Sequence, residues 1–230
     1  MTFHIIYEDR DFLAINKPPG IVVHPDQKHK SGTLIQEILK KYPEIQSIGE
    51  DPARPGLVHR LDKDTSGILL VAKNQKTFQY FKEAFQNNRV KKTYLVLLVG
   101  RIKNKEGRID LPIGRSKKSP MRRIAGKGGS GKIRNAETQY KVLKYLDGFS
   151  FCEARPLTGR THQIRAHFAA IGHPTVCDKI YSGKRFICPS GLARQFLHAY
   201  KLEFVSPSGA KIILESGLPD DLNRVLETLR

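Results

Sequence analysis

The chain of 230 residues contains no tryptophan, two methionines and three cysteines. Three cysteines do not all pair, and none of Cys152, Cys177 and Cys188 sits in a CxxC. A disulfide framework or a cysteine-rich zinc site is therefore not expected; the three read as small buried hydrophobes in a reducing compartment. Long apolar runs are missing too. The stretch Ile68-Leu69-Leu70-Val71-Ala72 falls far short of the roughly 20 residues that span a bilayer. The segment Met1 to Asp9 has no basic region ahead of an apolar one and no small-residue cleavage site, so nothing marks it for export. A soluble, cytoplasmic protein is expected. Acids are scarce: 22 Asp plus Glu against 40 Lys plus Arg, a formal charge of +18. Such an excess favours polyanions by releasing their counterions. Nucleic acid is the leading partner class, ahead of an anionic membrane surface, because no basic amphipathic helix is evident.

What is present suffices for a core: 39% of residues are hydrophobic, which excludes collagen and wholesale disorder. Phe12 to Asn16, the Lys17-Pro18-Pro19-Gly20 turn and Ile21 to His24 read as a hairpin-like arrangement. Thr33 and Gln36 offer a capping box for a helix carrying Leu34, Ile35, Ile38 and Leu39, stopped at Tyr42-Pro43. Gly67 to Lys73 reads as a buried strand, and Asn74 caps a helix with Phe78, Phe81 and Phe85 on one face. Strands are expected over Lys92 to Val99, Thr138 to Leu143, Phe149 to Ala154, Lys201 to Val205 and Lys211 to Leu214. A helix from about His162 to Ile171 interrupts them, with Ile164, Phe168 and Ile171 toward the core. A last helix from Asp220 carries Leu222, Val225, Leu226 and Leu229. The pattern predicts an α+β fold, a mixed, largely antiparallel sheet with helices packed on it. No linker is long enough to divide the chain, so residues 1–230 read as a single domain. From Asp110 to Glu137 no acid intervenes. With Gly126 to Gly131 in it, that stretch reads as a flexible basic arm for RNA phosphates, against the plainer account of a solvated loop.

Three motifs fail on inspection. Asp62-Lys63-Asp64-Thr65 matches the DxDxT of aspartate-nucleophile phosphatases, but His59 and Arg60 do not suit the buried parallel strand required before it. The same residues open a calcium loop whose bidentate Glu would be Lys73. Residues 126–132 have the GxxxxGK spacing of a phosphate loop, yet Ile133 stands where a hydroxyl is needed. His162 and His167 lie on different faces of a helix, and no HExxH occurs, so no metal site is expected.

The string HRLDKDTSG at 59–67, with KTY at 92–94 and LTGRTHQIRAH at 157–167, strongly resembles the RluA family of RNA pseudouridine synthases. The opening from Ile5 to Gly20 and the stretch from His198 to Pro207 look like the same family, so the resemblance runs from about Ile5 to about Pro219. It implies an isomerase that detaches uracil from ribose at N1 and reattaches it through C5. It also implies a sheet in two related halves with a central cleft, and no cofactor or metal. The expected partner is structured RNA, a stem-loop of rRNA or tRNA, with no membrane and no small-molecule cofactor. A monomer is expected because the charge opposes self-association.

Residue by residue, the resemblance makes Asp62 the catalytic carboxylate, stabilising or attacking the sugar as its bond to uracil breaks. Tyr94 maps onto the tyrosine that stacks on the base. Arg165 maps onto the arginine that pairs with the catalytic Asp and keeps it ionised. A uridine in structured RNA must be flipped out, and Arg60 is placed to fill the vacated space or grip the backbone; its plainer alternative is an ion pair. Asp64 reads as a turn residue. His59, Arg160, His162, Arg122 and Arg123 are the expected RNA contacts. Two departures stand out: Cys177 replaces the usual Gly before Asp178, and Ser182 separates Tyr181 from Gly183. Many relatives carry an S4-like domain before the catalytic one, and this chain opens almost at the catalytic motifs, so RNA grip is assigned to its own basic loops. A catalytically silent RNA-binding or assembly factor with the same fold is the alternative, against which the retention of Asp62, Tyr94 and Arg165 together argues.

Overall fold

A computed structural model describes residues 3–119 and 121–229. They fall into two compact units, Met1–Lys91 with Ala199–Gly217, and Lys92–His198 with Leu218–Arg230.

The first unit is built from β1 (His4–Glu8), β2 (Phe12–Lys17), α1 (Leu34–Lys41), β3 (Ser66–Ala72) and α2 (Gln75–Gln86), together with most of a strand over Leu197–Val205 and a strand over Lys211–Glu215. β1, β2 and β3 run antiparallel, with Phe12 opposite Ala72 and Lys17 opposite Gly67. Every residue of β3 is buried, which is why its sequence is apolar throughout instead of alternating. At the head of α1, the Gln36 side chain accepts from the Thr33 amide at 3.1 Å and the Thr33 hydroxyl at 3.2 Å, and the helix ends ahead of Pro43 as its sequence predicts. At α2, Asn74 Oδ1 accepts the Thr77 amide at 2.8 Å, satisfying an otherwise orphaned donor. Phe81 meets Phe12 and Phe204 edge to face, each pair at 5.3 Å between ring centroids, the geometry that ring quadrupoles favour.

Residues 21–24 do not form the second arm of a hairpin with β2, whose two edges are taken by β1 and β3. The Val22 and Val23 carbonyls instead accept the Leu34 and Ile35 amides of α1 at 2.9 and 3.0 Å. Helix amides with no partner inside the helix hold this segment as buried loop.

The second unit contains β4 (Lys91–Val99), β5 (Glu106–Asp110), β6 (Ile113–Arg115), β7 (Arg123–Ala125), β8 (Ser130–Arg134), β9 (Glu137–Leu146), β10 (Phe149–Pro156), α3 (Gln163–Ala170) and α4 (Asp220–Thr228). Strands β4, β10, β9 and β5 make an antiparallel sheet in that order, confirming the largely antiparallel expectation. The strand over Leu197–Val205 is β11 and that over Lys211–Glu215 is β12; they pair antiparallel, with Leu202 opposite Leu214. α4 buries Leu222 and Val225, with Leu226 and Leu229 packed alongside.

Three expectations fail here. The stretch between Asp110 and Glu137 is not a flexible arm: β6, β7 and β8 form a small antiparallel sheet. A Cβ on Gly114 would lie 3.0 Å from the Gly129 Cα, so the glycines that suggested flexibility permit a close backbone approach. Ile171 is 38% exposed, because α3 ends one residue before it and the turn carries it out of the helical face. Cys177 and Cys188 form a disulfide, their Cα atoms 4.3 Å apart, while Cys152 is buried and unpaired. The intervening chain folds back so that the Cys177 amide donates to the Ile187 carbonyl at 2.8 Å, a proximity that spacing alone does not reveal.

Candidate active site

In the first unit the chemistry gathers on the segment leading into β3. Asp62 to Thr65 makes a turn in which the Thr65 amide donates to the Asp62 carbonyl at 3.1 Å. Asp62 and Asp64 are half-buried, and Ser66 begins β3. The Lys63 carbonyl accepts from the Gly20 amide at 3.0 Å and from the Lys17 ammonium at 2.9 Å. Lys17 is fully buried, and its ammonium also donates to the Pro18 carbonyl at 2.7 Å. The Lys17-Pro18-Pro19-Gly20 turn thus braces the Asp62 turn. Sequence reasoning missed Lys17; the signal was a lysine closing a strand whose first four residues, Phe12 to Ile15, are apolar.

Arg60 is exposed and its Nη1 donates to His24 Nε2 at 3.3 Å. His24 Nδ1 faces the Pro25 carbonyl at 2.8 Å, which only accepts, so Nδ1 carries the hydrogen and Nε2 the lone pair. Burial lowers the His24 pKa, with Arg54 and Arg60 adding to that push, so the ring is the neutral acceptor that Arg60 requires. His59 Nε2 accepts the Leu70 amide at 2.9 Å while its ring stacks on Phe85 at 4.5 Å. Those contacts brace β3 against α2.

In the second unit Tyr94 stands on β4 opposite Ala154 of β10, partly buried against the core that holds Ile164 and Phe168. Lys92, two residues earlier, is held down to about 8 by burial. Arg165 is buried on α3 and lays one edge of its guanidinium on Asp178: Nε donates to Oδ2 at 2.6 Å and Nη2 to Oδ1 at 2.9 Å. Asp178, 0% exposed, also accepts the Ile180 and Tyr181 amides at 3.0 and 3.1 Å.

Tyr181 is the meeting point of the other predicted residues. The Arg165 and Arg122 guanidinium carbons lie 5.1 and 5.6 Å from its ring centroid, within cation–π range. Its hydroxyl accepts the Arg123 amide at 2.9 Å and lies 3.1 Å from His162 Nδ1. His162 caps α3 in the left-handed region, φ 56°. Arg160 Nε donates to the Asn135 carbonyl at 3.1 Å. Sequence reasoning cited Asp178 and Tyr181 only as landmarks; neither carried a signal of its role, because their partners are distant in the chain.

Behind α3 runs a buried chain of hydrogen bonds. His167 Nε2 donates to the Leu111 carbonyl and Nδ1 faces the Thr138 hydroxyl, each at 2.9 Å. Thr138 in turn accepts from Gln163 Nε2 at 3.1 Å. Burial lowers the His167 pKa and keeps the ring neutral. Among the described residues no cluster of His, Cys, Asp and Glu is arranged to hold a metal ion, and no helix is long and apolar enough to cross a membrane.

Residues 11–170 match the family model described as RNA pseudouridylate synthase. The chain belongs to that family, as its RluA-type motifs implied, and it is an isomerase that acts on RNA. It is 39% identical over 231 residues to an uncharacterized RNA pseudouridine synthase, YlyB, of Bacillus subtilis, covering 100% of this chain and 74% of the relative. It is 38% identical to ribosomal large subunit pseudouridine synthase D of Nitrosomonas europaea, covering 98% of this chain and 65% of the relative. Among solved structures, human RNA pseudouridylate synthase domain containing 1 superposes with a TM-score of 0.75 at 30% identity, covering 95% of this chain and 84% of that one.

Proposed function

We propose that this chain converts a uridine of structured RNA to pseudouridine with Asp62 as its catalytic carboxylate, Tyr94 and Arg165 serving the same reaction. The observation that carries this is the braced turn that presents Asp62 immediately before the fully buried strand β3. A carboxylate on a rigid element holds its direction while charge develops on the sugar. In the reaction the N1–C1′ bond breaks and uracil turns over. A C5–C1′ bond then forms, C5 loses its proton and N1 gains one.

Extruding the uridine costs a few kcal/mol of stacking. Arg60, exposed beside the Asp62 turn, is suited to fill the vacated space. The Tyr94 ring offers a flat surface for the detached base. The basic sheet of β6, β7 and β8 supplies the grip on phosphates. The name of the Nitrosomonas relative favours large-subunit rRNA over tRNA as the substrate, and the charge of +18 favours a monomer.

Asp62→Ala tests the assignment. The variant should form no pseudouridine on RNA transcripts that the wild type modifies, while its melting temperature and RNA affinity stay near wild type. Activity at the wild-type rate would remove Asp62 from the chemistry. A wild-type chain that binds RNA yet forms no pseudouridine on any transcript would favour the silent RNA-binding reading.

A further inference from the structure

The guanidinium of Arg165 is held in the second unit by groups that no family motif in the sequence assigned. Asp178 takes the Nε–Nη2 edge in a two-point contact, which fixes the direction of the fork as one contact could not. Of the five guanidinium N–H groups, this geometry uses two, and three point elsewhere. Asp178 is in turn locked: both oxygens serve Arg165, and Oδ1 also accepts two backbone amides. A carboxylate at 0% exposure is tolerable only with such a full set of donors. The ring of Tyr181, three residues on, lies 5.1 Å from the Arg165 guanidinium carbon. Its hydroxyl is anchored to the Arg123 amide of β7 and to His162 at the cap of α3.

We propose that Asp178 and Tyr181 are positioning residues for Arg165: the carboxylate sets the direction of the fork and the ring sets its plane. The proposal rests on the reading that Arg165 serves the reaction of Asp62. Because Tyr181 is hydrogen-bonded to β7, it also joins the basic sheet, the proposed phosphate grip, to that arginine. An isolated arginine on α3 would be free to rotate about its side-chain bonds. Held at one edge and one face, it is not, and a displacement of about 1 Å is enough to cost on the order of 100-fold in rate.

The test measures single-turnover rate and RNA dissociation constant for Asp178→Asn, Tyr181→Phe, Tyr181→Leu and Arg165→Lys, and for the double variant of Asp178→Asn with Arg165→Lys. Asp178→Asn retains the shape and one acceptor oxygen but weakens the grip on the guanidinium. Its single-turnover rate should fall roughly 100-fold, with RNA affinity changed less than about threefold. Since Asp178 acts through Arg165, the double variant should be no slower than the slower single variant, a non-additivity that a purely structural role does not produce. Tyr181→Phe, which retains the ring, should be faster than Tyr181→Leu, which loses it. Rates multiplying independently in the double variant, or a wild-type rate in Asp178→Asn, would overturn the proposal. If Asp178→Asn does not fold, the ordering of the two Tyr181 variants decides: equal rates would overturn it. Asp62→Ala measured alongside separates the two readings, since an active Asp62→Ala enzyme sinks the catalytic assignment, whereas an inactive one with a normal Asp178→Asn sinks only this inference.

Discussion

A Cβ placed on Gly67 would sit 2.2 Å from the carbonyl oxygen of Ala199. The backbone at Gly67 has a φ of +112°, and it closes the HRLDKDTSG motif one residue into β3. Glycine is required there twice over, by backbone conformation and by the approach of a neighbouring backbone. Gly67→Ala should therefore destabilise the protein by at least about 3 kcal/mol. A shift in the urea midpoint at unchanged slope measures it; a loss below about 1 kcal/mol would show that β3 and its neighbour move apart easily.

His167 and His24 are buried, and burial lowers the pKa of each. The unfolded chain therefore binds protons that the folded one resists, and stability falls as pH drops below about 6.5. His167→Gln removes one of these titrations. Its stability should decline less between pH 7.5 and pH 5 than that of the wild type. Parallel declines in thermal melts would mean that His167 is charged in the folded protein.

Replacing Arg122 and Arg123 together by Gln should weaken RNA binding and flatten its salt dependence, with the log–log slope falling by roughly 1 for each phosphate no longer neutralised. The effect should be alike across RNA sequences, because phosphates carry no base identity. An unchanged slope would take β7 out of the RNA interface.

Alkylation of the unfolded protein without reductant should modify only Cys152, and with reductant all three cysteines, read by intact mass. The disulfide closes a separation of 11 residues, so Cys177→Ser should lower stability by about 2–3 kcal/mol. Three reactive thiols without reductant would show that the pair is not joined.

Local pattern made much of this protein legible. The apolar run of β3, the Thr33 and Asn74 helix starts, the stripe on α4 and the antiparallel strands all follow from short-range spacing, and the structure bears them out. Phe78 and Phe81 are core as expected, whereas Phe85, on the edge of the same face, is only part-buried and stacks on His59. The candidate site was legible through its motifs, because residues 59–67 and 157–167 are contiguous strings whose order is itself information. His59 illustrates the limit. Its place in the motif suggested RNA, yet its ring nitrogen accepts an amide of β3.

What the amino-acid order determined by itself was the set of elements whose burial depends on period and on caps, together with the family to which the motifs belong. Tertiary structure decided the rest. Whether residues 21–24 pair as strand depended on which carbonyls the amides of α1 could reach. Whether Gly114 and Gly129 loosened a loop or tightened a sheet depended on how closely two backbones approach. The disulfide, and the clasp of Asp178 and Tyr181 on Arg165, each join groups more than ten residues apart. Proximity of that kind is a property of the folded chain, because the energy of such an interaction depends on distances that no local pattern encodes.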